Sequence, residues 1–170
     1  MANYIFKKYL DDRSAEIDEH LRTYFHCGSH PDMDRYLYDP LAKYSENGGK
    51  RHRPLITLLA CAAVGGDEKR AMAAGAAIEH FHTAALIHDD IADDSQLRRG
   101  EPCMHITMGE GLAINAGDLA LSLVTGTVIN DEGLPDDVKL RVLRELVDMT
   151  TRTIEGQAMD IGWAQNERFD

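Results

Sequence analysis

The sequence predicts an all-α protein of one domain. Stretches rich in Ala, Leu, Met and Glu dominate the 170 residues, only five prolines interrupt them, and no segment shows the polar and apolar alternation of a half-buried strand. Because 44% of the residues are hydrophobic, the chain has enough apolar side chains for a sizeable core. We therefore expect residues 1–170 to form a single helical domain.

Glycine, proline and capping residues divide the chain into six predicted helices. The first ends before the turn Cys27-Gly28-Ser29, and Pro40 bends or breaks the second. Pro54 occupies the first turn of the third, Asp67 caps the fourth, and Pro135 opens the last. The loop 97–103 separates the fourth from the fifth. The helices cover about residues 3–24, 31–47, 54–64, 67–96, 109–129 and 135–164.

Three carboxylates lie within five residues of the fourth helix, at Asp89, Asp90 and Asp93. At about 100° per residue they share one face about a quarter-turn wide. Acidic clusters usually form a solvated face, but here the preceding residues 84–87 are apolar enough for a core. A cation would offset the repulsion, and oxygen ligands suit Mg²⁺, which takes one or two carboxylates together with substrate phosphates. The cluster predicts a magnesium site.

Cations flank this helix on both sides. Lys50, Arg51 and Arg53 follow a glycine pair and precede a helix N-terminus, whose amides and dipole favour phosphate; an ordinary basic surface loop is the alternative. Arg98 and Arg99 follow the aspartates, and their forked donors match diphosphate. Adjacent side chains diverge, so these two arginines could address different diphosphates. The net charge of −11 argues against nucleic acid as a partner.

One stripe of the fourth helix carries polar side chains besides the aspartates. Glu79, His82 and Leu86 continue the line of Asp89, and His82 lies about 10 Å below it along the axis. His82 could therefore serve a second anion near Lys50, or it could be a core histidine. His88 projects about 100° away from this stripe, which predicts a structural role.

These segments, in this order, resemble the trans-isoprenyl diphosphate synthase (polyprenyl synthetase) family. The family's GGKRxRP element matches residues 48–54, its DDxxD motif matches residues 89–93 followed by Arg98-Arg99-Gly100, and its GQxxDI element matches residues 156–161. The resemblance implies an antiparallel helical bundle of the isoprenoid synthase type. It also implies an enzyme that condenses isopentenyl diphosphate with an allylic diphosphate, with Mg²⁺ as cofactor.

Residue roles follow from the resemblance. It implies that the isopentenyl diphosphate is held by Lys50, Arg53, His82 and Arg99. Arg98 would hold the allylic diphosphate and Gln157 would bind substrate. Asp89 and Asp93, helped by Asp90, would hold Mg²⁺ against the allylic group and, with Arg98, form the catalytic set. Ala84 and Ala85 stand at positions that line the growing chain in this family; since they are small, we expect a geranylgeranyl or longer product.

The family's second aspartate-rich motif lies far downstream of the first, and the sequence after Asp160 contains no such cluster. We therefore expect a truncated N-terminal half with little or no activity, whose uncovered apolar faces favour a homo-oligomer, a dimer above all. A non-catalytic partner subunit of a heteromeric prenyl synthase is the alternative. His88-Asp89 also resembles the metal pair of HD-type phosphohydrolases, but that class leaves the basic residues unexplained.

The sequence also suggests a location. We find no signal-peptide pattern and no apolar run of about 20 residues that would predict a membrane span. The cysteines, Cys27, Cys61 and Cys103, are odd in number and widely spaced, which argues against a disulfide framework. We expect a cytoplasmic protein.

Overall fold

The computed structural model describes residues 2–25, 30–47 and 49–166, and it confirms the all-α class. The turn predicted at Cys27-Gly28-Ser29 and residue Gly48 lie outside the described residues. In chain order the elements are α1 (Ala2–Arg22), α2 (Pro31–Met33), a π-helical turn (Asp34–Tyr38), α3 (Asp39–Glu46), α4 (His52–Ala63), a 3₁₀ turn (Glu68–Ala71), α5 (Met72–Ala92), β1 (Leu97–Arg98), β2 (Glu101–Pro102), α6 (Met104–Met108), α7 (Glu110–Ile129) and α8 (Asp136–Gln165).

The second predicted helix is continuous, and Pro40 does not break it. Pro40 lies in the first turn of α3, immediately after the π-helical turn Asp34–Tyr38. A proline cannot donate to the carbonyl four residues earlier and its ring clashes with that carbonyl. One wider turn before the proline removes this conflict.

The centre of the bundle is the pair α5 and α7, which pack through small residues. α5 contributes Ala76 and Ala84 to the main core, and α7 contributes Ala113, Ala116 and Ala120. Without larger side chains between them the two backbones approach closely. At Gly117 of α7 there is no room for a Cβ, because it would collide with the His88 ring of α5. α1 and α4 pack on the other side of α5 and supply Ile17, Leu21, Leu55 and Leu58 to the same core.

The segment predicted as the loop 97–103 contains a short β-hairpin. β1 and β2 pair antiparallel, with Leu97 opposite Pro102 and Arg98 opposite Glu101. Arg99 and Gly100 form the turn, with φ of 54° and 87°. Strands of two residues are too short for a period-two pattern, so no pattern in the sequence predicts this hairpin.

The helix α8 is largely uncovered. Leu146 is its single buried residue, and every residue from 151 to 161 is exposed, including Ile154 and Met159. The exposed apolar faces expected from the sequence are therefore present in this part of the structure.

The apolar helix α7 qualifies as a membrane span by length and composition, with a mean hydropathy of 1.6, contrary to the sequence-based expectation. It packs against α5 as a core helix and buries seven residues there, among them Ala116, Gly117 and Val124. Helices of that kind in soluble proteins pass the same test, so the finding is weak support for a membrane location.

Candidate functional site

Four side chains predicted to bind one anion meet at a single cleft. Lys50, Arg53, His82 and Arg99 line an open cavity of about 240 Å³ together with Gly49, Arg51, His52 and Glu79. The cleft lies at the N-terminus of α4, where the helix dipole adds positive potential. Four separate elements therefore bring positive or protonatable groups to one surface: the loop before α4, the first turn of α4, the middle of α5 and the hairpin turn.

His82 lies on α5 beside this cleft and is half-buried. Burial lowers its pKa, and the positive charge of Arg53 lowers it further, while the carboxylate of Glu79 acts in the opposite direction. Burial and Arg53 therefore both favour the neutral imidazole of His82 when no anion is bound. An anion in the cleft would raise the pKa of His82 and favour the imidazolium.

Arg51 is a part of the cleft whose role the sequence did not show. Its side chain is 4% exposed and donates to the Asp18 carboxylate (Nε to Oδ1, 2.5 Å), the Glu79 carboxylate (Nη1 to Oε1, 2.9 Å) and the Ser45 carbonyl (Nη2 to O, 2.8 Å). These partners lie 33, 28 and 6 residues away along the chain. Sequence alone cannot separate Arg51 from Lys50 and Arg53, because its partners are distant in the chain.

Arg98 and Arg99 point in different directions, as adjacent residues at a hairpin turn should. Arg99 Nη1 donates to the Asn47 carbonyl at 2.5 Å, which brings the guanidinium to the basic cleft. Arg98 turns toward α5 and binds Asp90. The hairpin thus supplies one arginine to the cleft and one to the acidic helix.

Asp90 is buried, with 1% of its surface exposed. Its Oδ1 accepts from Arg98 Nε at 2.9 Å and Nη2 at 2.5 Å, and its Oδ2 accepts from the Tyr44 hydroxyl at 2.7 Å. Burial and the neighbouring Asp90 carboxylate raise the pKa of Tyr44, and they raise the pKa of Cys103 to about 11. Of the three clustered aspartates, Asp90 therefore faces inward and ties the hairpin to α5 and α3.

Asp89 and Asp93 occupy the outer face at the end of α5. Asp89 is half-buried and accepts a hydrogen bond from the Gln157 side chain of α8, while Asp93 is exposed. The structure thus brings Gln157, predicted to bind substrate, onto the acidic cluster. Among the residues described, no three or more His, Cys, Asp or Glu side chains are arranged to hold a metal ion. Asp89 and Asp93 present their carboxylate oxygens on this outer face.

His88 lies away from the acidic face. Its ring packs on Gly117 and its Nε2 is 3.6 Å from Asp118 Oδ1 of α7. The ring thus contacts α7. An HD-type centre would need several metal-ligand side chains around His88, and the described residues contain no such group.

The two alanines before the aspartates differ in their surroundings. Ala84 is fully buried in the main core, whereas Ala85 is half-buried on the same side of α5 as His82 and Asp89. Of these two small residues, Ala85 is therefore the one that is partly exposed.

The fold is that of the isoprenoid synthases, as comparison with solved structures shows. A geranylgeranyl pyrophosphate synthetase from Pyrococcus horikoshii superimposes with a TM-score of 0.88 at 34% identity, covering 97% of this chain and 49% of that one. An FPP/GFPP synthase from Zymomonas mobilis gives a TM-score of 0.85 at 28% identity, with 95% and 59% covered. The chain belongs to the polyprenyl synthetase family, whose sequence model matches residues 34–170.

Curated relatives agree with this assignment. The chain is 47% identical over 123 residues to a short chain isoprenyl diphosphate synthase of Methanothermobacter thermautotrophicus, covering 72% of this chain and 37% of that protein. It is 42% identical over 163 residues to the chloroplastic geranylgeranyl pyrophosphate synthase 11 of Arabidopsis thaliana, covering 92% of this chain and 44% of that protein. The chain thus spans about half the length, or less, of the curated relatives it matches.

Proposed function

We propose that this chain carries the isopentenyl diphosphate cleft and the first acidic face of a prenyltransferase that joins isopentenyl diphosphate to an allylic diphosphate. The single observation that carries the proposal is the convergence of Lys50, Arg53, His82 and Arg99 on one cleft at a helix N-terminus. Family membership supports the chemical class and the two diphosphate substrates, and the names of the relatives give isoprenyl and geranylgeranyl diphosphates as the products by analogy.

In this proposal the cleft holds the diphosphate of isopentenyl diphosphate. Lys50 and Arg53 supply charge beside the first-turn amides of α4, and Arg99 supplies a forked donor from the hairpin. His82 becomes protonated as the diphosphate binds, since the anion reverses the effect of burial on its pKa. Together these groups fix the diphosphate and leave the isopentenyl tail free to face the rest of the site.

The acidic face fits Mg²⁺ through two of its three aspartates. Asp89 and Asp93 point outward with hard oxygen ligands, and a magnesium ion needs only one or two carboxylates when phosphate oxygens complete its shell. When bound, the ion would stabilise the negative charge of the leaving allylic diphosphate. Asp90 helps indirectly, because it holds Arg98 through Nε and Nη2 and leaves the Nη1 side of that guanidinium to meet the allylic group.

The chemistry of the proposed reaction needs no protein nucleophile. The allylic carbon–oxygen bond breaks with both electrons leaving on diphosphate, the isopentenyl double bond attacks the resulting cation, and a proton is lost to form the new alkene. The chain's arginines stabilise the departing charge. Ala85, and less directly Ala84, leave room for a product of geranylgeranyl length or longer.

Assembly and location follow as further parts of the proposal. The exposed apolar side chains of α8, among them Ile154, Met159 and Trp163, support a homo-oligomer. A cytoplasmic location stays a prediction; some relatives are named as chloroplastic proteins.

Calorimetric titration of isopentenyl diphosphate into the wild-type chain tests the cleft. We expect saturable binding that weakens at least tenfold in Arg53→Met, because a charge-assisted contact is removed. Arg144→Met, an exposed arginine of α8, is the matched control and should bind like wild type. Equal affinity in the two variants, or no binding by wild type, would overturn the proposal.

A second assay addresses turnover. With Mg²⁺, isopentenyl diphosphate and an allylic diphosphate, we expect the isolated chain to form product slowly or not at all, because it presents one acidic face. Product formation at normal enzyme rates would contradict the view that the chain supplies only part of the site.

A further inference from the structure

We propose that Arg51 is a positioning residue for the basic cleft. It fixes the loop that carries Lys50 and the first turn of α4 that carries Arg53, and it neutralises the buried Glu79 carboxylate that lines the same cleft. This inference rests on the proposed function of the cleft as a diphosphate site. Its new content is that diphosphate affinity depends on a buried guanidinium as well as on the exposed cations.

Arg51 anchors the start of α4 through three hydrogen-bond partners. Its three donors reach Asp18 of α1, Ser45 of α3 and Glu79 of α5, so one side chain ties the start of α4 to three other helices. The backbone of Arg51 is left-handed, with φ of 51°, at the residue before α4 begins. A non-glycine residue persists in this region only when its surroundings determine it. The three contacts provide that determination.

The loop is also held from its outer side. A Cβ at Gly49 would collide with the Arg51 guanidinium, so the loop backbone lies directly against that group. Arg99 donates to the Asn47 carbonyl just before this point at 2.5 Å. The segment that presents Lys50 is therefore enclosed between one buried and one exposed arginine.

Arg51 also compensates the negative charge of Glu79. A carboxylate that is 5% exposed and lines an anion cleft opposes the binding of any anion there. Arg51 Nη1 lies 2.9 Å from Glu79 Oε1 and compensates that charge. If a neutral residue replaced Arg51, Glu79 would be an unpaired negative charge beside the diphosphate, and the affinity for diphosphate would fall at least tenfold.

Titration calorimetry with inorganic pyrophosphate tests the inference, at a temperature well below each variant's melting point. We expect Arg51→Met to bind pyrophosphate at least tenfold more weakly than wild type. Adding Glu79→Gln to Arg51→Met should restore a large part of the lost affinity, because the unpaired carboxylate is gone. The melting temperature should stay low in the double variant, since the anchor is still missing.

The recovery of affinity without recovery of stability separates positioning from a merely structural role. Asp18→Asn gives a second measurement that does not depend on Arg51→Met folding: it removes one anchor at a side chain that does not line the cleft. We expect a several-fold loss of pyrophosphate affinity in Asp18→Asn.

Three outcomes count against the inference. If Arg53→Met loses pyrophosphate binding while Arg51→Met and Asp18→Asn bind like wild type, the positioning role is refuted and the proposed function stands. If the double variant binds as weakly as Arg51→Met, the neutralisation of Glu79 is refuted. If wild type does not bind pyrophosphate, the proposed function of the cleft fails and this inference fails with it.

Discussion

Replacing Asp90 by Asn separates its structural role from that of its neighbours in the acidic cluster. Asp90 accepts two hydrogen bonds from Arg98 and one from Tyr44 while it is 1% exposed. An asparagine keeps an oxygen acceptor for Arg98 but loses the charge. Its NH₂ group then faces the Tyr44 hydroxyl, which can no longer donate a hydrogen bond at that position. Bonds to a charged group are stronger than neutral ones by roughly 1 kcal/mol each, so three bonds give about 3 kcal/mol.

Arg98 is one-third exposed, at 33%, so water recovers part of this loss. We therefore expect Asp90→Asn to lower the free energy of unfolding by about 2 kcal/mol, or the melting temperature by roughly 4–8 °C. Urea unfolding followed by circular dichroism measures this. Asp93→Asn, at an exposed carboxylate, is the matched control and should change stability by less than about 0.5 kcal/mol. If the two variants are equally stable, the anchoring role assigned to Asp90 is wrong.

Three further predictions concern the histidines and the alanines of α5. Burial lowers the pKa of His80 to about 3, so below pH 6.5 the unfolded chain binds a proton that the folded chain does not. The free energy of unfolding of wild type should therefore fall by ~2 kcal/mol at pH 5 relative to that of His80→Leu. Urea titrations at several pH values check this. Because the pKa of His82 is lowered, pyrophosphate binding should take up a proton, and wild-type affinity should rise relative to His82→Gln as the pH falls from about 7.5 to 6. Calorimetry in buffers of different ionisation enthalpy measures the proton uptake. If the affinities of wild type and His82→Gln change with pH in the same way, the prediction is refuted. Ala84→Phe should destabilise the fully buried core by about 1–3 kcal/mol in thermal melts, and by more than Ala85→Phe does. In a full-length enzyme of the family, Ala85→Phe should give a shorter product than Ala84→Phe.

The class of fold and the composition of the cleft could be predicted because they depend on local patterns. Helix-forming composition, Pro54 and Asp67 place the helices, and Lys50 and Arg53 carry their charge in one short segment. What could not be predicted depends on contacts between distant residues. Helical periodicity placed Asp90 with Asp89 on one face, yet the 100° between them is enough to turn Asp90 inward to Arg98. That distinction needs the hairpin, which the sequence did not reveal.

The left-handed backbone at Arg51 and Arg99 lowers the stability of this chain, whereas the arginine side chains at these positions serve the basic cleft. Arginine at such a position is less favourable than glycine by roughly 1 kcal/mol, since only glycine lacks the Cβ that crowds the following carbonyl. A library of variants selected for thermal stability alone should therefore lose arginine at position 99, where the side chain is exposed, and replace it with Gly or Asn. The selected proteins would have a firmer hairpin and a weaker cleft, so a screen for improved variants must select for anion binding as well as for heat resistance.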